Sequence, residues 1–232
     1  MSVLDCGCGT AAITAGIAKC VGAGGRVVGL DRDESLLAIA RREHGSETNL
    51  QFIEADICTW RDNRKFDIVS AARTLQWIAD PVAALRGMRD VCLPGGLVVV
   101  LDYDHTQTSW VPEPPSEFVA FYRAFLAWRE QNGWDNAMAA HLEGLFQQIG
   151  LREIRSIEQN EISKRGESDF SARVSIWCDV IQNTSEPLLA AGLCTKQQLE
   201  DTKGLWAEWA ETKLEKQLLA LGTTVGRVAW PE

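Results

Sequence analysis

Residues Val3-Leu4-Asp5-Cys6-Gly7-Cys8-Gly9-Thr10 run from an apolar stretch through an acidic residue into a Gly-x-Gly turn. Ala11 to Val21 follows with helical composition. A strand that must bend at once into a helix needs backbone that tolerates left-handed φ, and glycine supplies it. Gly7 and Gly9 also leave room for a ligand to approach the backbone. The helix behind them aims its first N–H groups at that ligand. The loop therefore predicts an α/β sheet with a nucleotide-type ligand at its strand ends. Taken alone, Gly7-x-Gly9-x-x-Ala12 also satisfies a dinucleotide fingerprint, so a nicotinamide cofactor stays open at this point.

The next ninety residues repeat the same alternation. Arg26 to Leu30, Gln51 to Glu54, Phe66 to Ser70 and Leu97 to Asp102 read as apolar strands. Glu34 to Glu43 and Pro81 to Val91 read as helices, the second followed by a turn at Leu93-Pro94-Gly95-Gly96. Strands alternating with helices predict a parallel sheet covered on both faces. After Pro112, Pro114 and Pro115 the pattern changes. Ser116 is placed to cap a helix carrying Phe118, Phe121, Tyr122, Phe125 and Trp128. Further helices are expected over Asn136 to Ile149, Ser168 to Asn183 and Lys196 to Leu219. Thr195 and Gln198 form a capping-box pattern before the last of these. Glu153 to Ile162 and Thr223 to Trp230 read as strands. The expectation is one α/β domain, doubly wound and Rossmann-like, with a mostly parallel seven-stranded sheet. Residues 1–103 form its cofactor-binding half. Residues 104–232 form a substrate-side half with helical lid insertions.

Composition narrows the partners. Apolar residues make up 46% of 232, enough for a sizeable core. No apolar run is long enough to span a bilayer, and the first residues lack a signal-peptide pattern. A cytoplasmic protein is expected. The formal charge of −9 disfavours a phosphate backbone as partner. A small molecule is the better substrate, and a homodimer is compatible with the sequence. The seven cysteines include no CxxC pair, so reduced, partly buried thiols are expected and no metal site.

Two carboxylates stand in step with the glycine loop. Asp31 ends the second strand, where a carboxylate can accept both hydroxyls of a ribose. Asp56 follows the third strand, where it could accept from an exocyclic adenine amine. In isolation each reads as a helix cap or turn residue.

With these in place the sequence resembles the class I S-adenosylmethionine-dependent methyltransferases, in their small-molecule branch. Val3 to Thr10 is similar to the family's first motif, and Val27-Val28-Gly29-Leu30-Asp31 to its second. Glu54-Ala55-Asp56-Ile57 resembles the third, and Phe66-Asp67-Ile68-Val69-Ser70 the fourth-strand motif. Arg73 to Pro81 resembles the segment that follows, and Leu93-Pro94-Gly95-Gly96-Leu97 the turn before strand five. The resemblance spans residues 1 to 103. It implies that Asp5, Gly7 and Gly9, with Thr10, hold the methionine end of the cofactor. Asp31, with Arg32 beside it, would bind the ribose, and Asp56 the adenine amine. Ala55 and Ile57 would border the adenine ring, with Ala72 and Arg73 near the sulfonium. Ala11 departs from the pattern, standing where the family often has a third glycine. The chain also begins on strand one, where family members commonly have helices that help close both sites. A shortened protein or a more open site is expected from that.

On the acceptor side, the in-line displacement asks the protein mainly for alignment and exclusion of water. His105, after strand five, is the candidate base if the acceptor must lose a proton, against the plainer reading of a loop histidine. Tyr103 is a candidate hydrogen-bonding group for the acceptor. Gln76 and Trp77 resemble the pair found in methyltransferases that esterify carboxylic acids, and Arg73 could then face a substrate carboxylate. Trp110 is a candidate for an apolar roof, among seven tryptophans that follow residue 100. The expected acceptor is a small molecule that is apolar, aromatic or carboxylate-bearing. Two other readings compete: a nicotinamide-dependent oxidoreductase, and a non-catalytic methyltransferase-like binding or dimerisation module. The Asp56 motif and the Pro94-Gly95-Gly96 turn favour the methyltransferase, because a dinucleotide fold requires neither.

Overall fold

The structure is a computed structural model and describes residues 1–231. In chain order it runs β1 (Ser2–Cys6), α1 (Ala12–Val21), β2 (Arg26–Asp31), α2 (Glu34–His44), β3 (Leu50–Glu54), β4 (Phe66–Ala72) and α3 (Pro81–Val91). Then come β5 (Cys92–Tyr103), β6 (Ser109–Val111), α4 (Ser116–Gln131), α5 (Met138–Gln148), β7 (Arg152–Glu158) and β8 (Glu161–Lys164). The chain ends with α6 (Phe170–Val174), α7 (Ile176–Ala190), α8 (Lys196–Thr212), β9 (Lys216–Leu219) and β10 (Leu221–Arg227). These elements divide into two compact units.

The first unit comprises Met1–Tyr103, Met138–Glu158 and the chain from Gly222 onward. It holds the expected seven-stranded sheet, in the order β3-β2-β1-β4-β5-β10-β7. The five strands β1 to β5 pair in parallel, and β10 pairs with β7 antiparallel. Helices cover parallel strands, which explains their unbroken apolar runs. Leu4, Val28, Val69, Val98 and Val100 are fully buried, packed with Leu85 and Met88 of α3. Asp33 caps α2 by accepting from the backbone nitrogens of Ser35 and Leu36. Asp80 caps α3 by accepting from Ala83 nitrogen, with Pro81 at the first helical position.

The Leu93-Pro94-Gly95-Gly96 segment is not a free turn but an irregularity inside β5. Cys92 pairs with Phe66, and the register then shifts before Leu97 meets Ile68. The chain's tail closes over it. Gly95 donates to the Val228 carbonyl at 2.9 Å, and a Cβ on Gly95 would stand 2.3 Å from the Trp230 indole. The stretch expected as one strand from Glu153 to Ile162 breaks at Gln159-Asn160, and its halves enter different sheets.

The second unit comprises Asp104–Ala137 and Gln159–Leu221. Its three-stranded sheet has the order β6-β9-β8, all antiparallel. The helix expected through Leu219 stops at Thr212, and Lys216–Leu219 is its central strand. The helix expected over Ser168 to Asn183 is two helices that meet at Ser175. Pro115, not Ser116, occupies the N-cap of α4 and offers no side-chain bond. The capping box of Thr195 and Gln198 is present. An aromatic cluster fills the unit. Trp206 is fully buried and stacks on Phe118 with ring centres 4.0 Å apart. Trp110, Tyr122 and Trp177 meet edge to face around them. Among the described residues, no helix is long and apolar enough to cross a membrane.

Candidate functional site

The glycine loop leaves β1 and is drawn over β2. Gly7 and Cys8 nitrogens both donate to the Leu30 carbonyl, at 2.7 and 3.1 Å. Gly7 and Gly9 adopt φ of +72° and +53°, as the turn requires. Their missing side chains serve different ends. A Cβ on Gly7 would lie 2.3 Å from Thr74 Oγ1, so Gly7 allows the loop to pack on the chain leaving β4. A Cβ on Gly9 meets nothing within 4 Å, so the loop's open face lies there. Ala11 takes φ 69° at the N-cap of α1 and makes no side-chain cap. Left-handed backbone costs a non-glycine residue roughly 1–2 kcal/mol. The first turn of α1 therefore carries no capping side chain to compete with a ligand for its dipole.

The carboxylates behind the loop are not equivalent. Asp5 is buried beneath it, accepting from Thr14 Oγ1 at 2.7 Å and Ser70 Oγ at 3.0 Å. Burial pushes its carboxyl above the ordinary value, while those two hydroxyls pull it back. Asp5 thus braces α1 and β4 from inside. Asp31 is half-buried at the end of β2. Its Oδ2 accepts from Gly9 nitrogen at 2.8 Å, and its Oδ1 from Asp33 nitrogen at 3.0 Å. Thr10 is half-buried on the loop, and Arg32 is exposed beside Asp31. Ala55 nitrogen donates to the Asp31 carbonyl at 2.8 Å, which carries β3's register to Asp56. Asp56 is exposed, with Oδ1 accepting from Cys58 nitrogen at 2.8 Å. Ala55 is half-buried, whereas Ile57 belongs to the core. Cys8 is buried beside Gly29, and burial pushes its thiol up to about 12. Open space over Gly9, an uncapped helix start and two carboxylates at adjacent strand ends fit a ligand bearing a ribose and a zwitterionic tail.

The chain leaving β4 is held on both sides. Arg73 has φ 58°, rare for a side chain of its size, and its nitrogen donates to the Leu101 carbonyl at 2.7 Å. The single proton of Thr74 Oγ1 is shared between the carbonyls of Ala72 at 3.1 Å and Cys6 at 3.3 Å. Gln76 is buried, and its Nε2 donates to the Arg73 carbonyl at 3.3 Å. Asp102, fully buried near the end of β5, accepts from Gln76 nitrogen at 3.1 Å and Tyr103 nitrogen at 3.0 Å. The Arg73 guanidinium lies over the Tyr103 ring, 5.5 Å from its centre. Trp77 is half-buried at the end of a short 3₁₀ turn, Leu75–Trp77. Sequence reasoning missed Thr74 and Asp102. An acid closing an apolar strand, as Asp5 and Asp31 do, was the signal for Asp102.

Two candidates lie in the second unit. His105 is 8% exposed and packs edge-on against Phe125, with ring centres 5.8 Å apart. Burial, with a smaller contribution from the Arg129 charge, pushes its imidazole down to about 3. A side chain so placed is largely shielded from solvent and packs against Phe125. The exposed loop that suggested otherwise is a 3₁₀ turn whose His105 carbonyl accepts from Tyr122 Oη at 2.8 Å. Trp110 joins the aromatic cluster, donating from Nε1 to Gln217 Oε1 at 3.0 Å. It also lines a cleft of about 300 Å³ with Pro114, Val119, Tyr122 and Arg123.

Known proteins resemble this chain in sequence and in fold. The model of the methyltransferase domain family matches residues 1–147. The demethylmenaquinone methyltransferase of Staphylococcus carnosus is 28% identical over 166 residues, covering 65% of this chain and 68% of that protein. A ubiquinone/menaquinone biosynthesis C-methyltransferase of Shewanella oneidensis is 37% identical over 112 residues, covering 46% of this chain and 44% of that one. Among solved structures, phosphoethanolamine N-methyltransferase 2 of Haemonchus contortus, with S-adenosylhomocysteine bound, has a TM-score of 0.61 at 16% identity. That match covers 99% of this chain and 49% of the other, so this chain spans about half its length. The YcgJ protein of Bacillus subtilis has a TM-score of 0.59 at 13% identity, covering 99% and 92%. At such identities the structures show the fold. The family match covers more than half of the chain and sets aside the nicotinamide and non-catalytic readings. The chain belongs to the methyltransferase domain family and is a class I S-adenosylmethionine-dependent methyltransferase.

Proposed function

We propose that this enzyme methylates a small, apolar, aromatic acceptor of the quinol class, with S-adenosylmethionine held along the ends of β1, β2 and β3. The observation that carries the cofactor placement is the 2.8 Å bond from Gly9 nitrogen to Asp31, which locks the open loop to the strand-two carboxylate. In this reading Gly7, Gly9 and Thr10 shape the methionine end, with Asp5 bracing the loop from below. Asp31 and Arg32 flank the ribose. Ala55, Asp56 and Ile57 border the adenine, and Ala72 and Arg73 lie near the sulfonium. The bound cofactor supplies an electrophilic methyl group. The chain's own task is to align the acceptor and exclude water.

The choice of acceptor rests on two further points. The relatives from Staphylococcus carnosus and Shewanella oneidensis carry names for quinone methylation, which supports an aromatic ring as nucleophile. The carboxylate alternative rests on Gln76 and Trp77, and Gln76 is buried with its Nε2 donating to the Arg73 carbonyl. The second unit is proposed to carry acceptor recognition, being rich in aromatic surface such as the cleft beside Trp110 and Tyr122. A quinol ring whose hydroxyl has given its proton to water is nucleophilic at carbon: the new C–C bond forms as the S–CH3 bond breaks, S-adenosylhomocysteine leaves, and the ring carbon's hydrogen departs as a proton to water when aromaticity returns.

The test is transfer of a labelled methyl group to a demethylmenaquinol analogue and, in parallel, to an aromatic carboxylic acid. Label on a ring carbon supports the reading. A methyl ester, or no transfer to either by enzyme that binds S-adenosylhomocysteine, overturns the acceptor class. Heat on titration with NAD and none with S-adenosylhomocysteine overturns the cofactor placement.

A further inference from the structure

We infer that Asp102 is a positioning residue for methyl transfer, acting by clamping the chain that leaves β4 in the one conformation that serves the reaction. This rests on the cofactor placement proposed above, which sets Ala72 and Arg73 beside the sulfonium.

The argument begins with burial. Asp102 has no exposed surface, and a carboxyl group is seldom taken out of water without a specific partner. Two backbone nitrogens are among its partners. Oδ2 takes the nitrogen of Gln76, and Oδ1 takes the nitrogen of its own neighbour Tyr103. One carboxyl group thus ties the exit of β5 to the exit of β4, across the two strands.

The consequence passes along the segment. Gln76, fixed by Asp102, turns its Nε2 back to the carbonyl of Arg73 at 3.3 Å. That bond holds Arg73 in left-handed backbone at φ 58°. Strained backbone of this kind persists only where the surroundings over-determine it. The carbonyl bond from Gln76 and the nitrogen bond to Leu101 do so here. With the backbone so turned, the Arg73 guanidinium lies over Tyr103, the residue whose nitrogen Asp102 also holds. On the other side, Thr74 fills the space left by Gly7 and donates to Cys6 carbonyl. The segment therefore couples the glycine loop to the end of β5, and Asp102 is its anchor on the β5 side. Asp102 touches no reacting atom in this scheme. It acts through Arg73 to Trp77.

Orientation explains why such an anchor matters. A misplacement of about 1 Å at a reacting centre costs on the order of 100-fold in rate. Cofactor affinity depends instead on the glycine loop, Asp31 and Asp56, which Asp102 does not contact in this scheme.

Asp102→Asn provides the test, because the amide keeps one acceptor oxygen and loses the other. In the full chain, amide exchange of the peptide spanning residues 73–78, read by mass spectrometry, is expected to quicken about tenfold or more. Peptides from β1 and β2 should exchange as before. Affinity for S-adenosylhomocysteine should stay within about threefold, while kcat falls about 10- to 100-fold. Adding Arg73→Lys to Asp102→Asn should lower kcat by less than it does alone, because both act through one element. Gln76→Leu breaks the link to Arg73 with Asp102 intact, and it should show the same loss of kcat if Asp102→Asn does not fold. A folded Asp102→Asn with unchanged exchange over 73–78, or Gln76→Leu with wild-type kcat, overturns the inference. Loss of S-adenosylhomocysteine affinity in step with melting temperature, at unchanged kcat, also overturns it, since that is the mark of a merely structural role. Failure of wild-type enzyme to methylate any quinol would count against the acceptor class alone; exchange and the S-adenosylhomocysteine titration would still decide the role of Asp102.

Discussion

The Asp31 carboxylate accepts a hydrogen bond from Gly9 nitrogen at 2.8 Å, so the residue expected to hold the ribose also holds the loop. The two roles can be separated. Asp31→Ala removes both, including a bond to a charged acceptor worth about 1.5–3 kcal/mol. Asp31→Asn retains an oxygen for Gly9 but leaves a poorer pair of acceptors for a diol. Calorimetry with S-adenosylmethionine should show affinity falling about 100-fold for the alanine variant and about tenfold for the asparagine variant. Equal affinity in all three proteins would remove Asp31 from the site.

Gly7 and Gly9 make a matched pair for substitution. In Gly7→Ala the new methyl group would stand 2.3 Å from Thr74 Oγ1 on backbone at φ +72°. Thermal or urea unfolding should register a loss of at least about 2 kcal/mol, from overpacking and backbone strain together. Gly9→Ala adds a methyl group that meets nothing within 4 Å. Its cost to stability should be about 1 kcal/mol, from the positive φ alone. Its cost to cofactor binding should be the larger one, because the methyl group stands on the loop's open face. A Gly9→Ala protein that binds S-adenosylhomocysteine as wild type would place the ligand elsewhere.

What was legible in the sequence follows from how each element is stabilised. Strands β1 to β5 are apolar because they are covered on both faces, and a buried strand announces itself by composition. The Thr195–Gln198 pair marks a helix start by local bonds, which need no tertiary context. Lys216-Gln217-Leu218-Leu219 reads as helix in the sequence because all four are good helix formers. Only pairing with β6 and β8 makes it a strand, and β6 is just three residues long. The division of labour between Gly7 and Gly9 was hidden for the same reason, since Thr74 lies 67 residues beyond Gly7. A polar residue beside a strand end reads as an open loop, and only the fold brings Phe125 edge-on against His105.

His105 sets a pH dependence whose sign follows from its burial. Its pKa falls from 6.5 to about 3 on folding. The unfolded chain therefore binds a proton below about pH 6.5 that the folded chain refuses. Stability is full above that pH and is lost as pH falls through the window from 6.5 to about 3. The slope is about 1.4 kcal/mol per pH unit, or about 2 kcal/mol lost by pH 5. Urea unfolding at pH 7 and pH 5, compared with a folded His105→Gln variant, isolates this contribution. The variant should lose the slope and keep methyl transfer at pH 7. Abolished transfer in a variant of wild-type stability would mark His105 as a base.

Gln217 offers the sharpest test of the second unit's core. It is 1% exposed, and its Oε1 accepts from Trp110 Nε1 at 3.0 Å and Trp177 Nε1 at 2.8 Å. One oxygen with two lone pairs serves two indoles that β6 and α7 bring together from distant parts of the chain. Gln217→Leu keeps the volume roughly and strands both N–H donors, of which Trp177's is deeply buried. An unsatisfied buried donor costs about 1–3 kcal/mol, so the pair should cost about 2–4 kcal/mol. Trp206 donates to Val174 carbonyl and is indifferent to the change. Unfolding followed by tryptophan fluorescence and near-ultraviolet circular dichroism should show the loss, with the aromatic signal weakened even before unfolding. Gln217→Leu as stable as wild type, with its aromatic signal intact, would mean that ring packing alone holds the cluster and that the shared oxygen adds nothing.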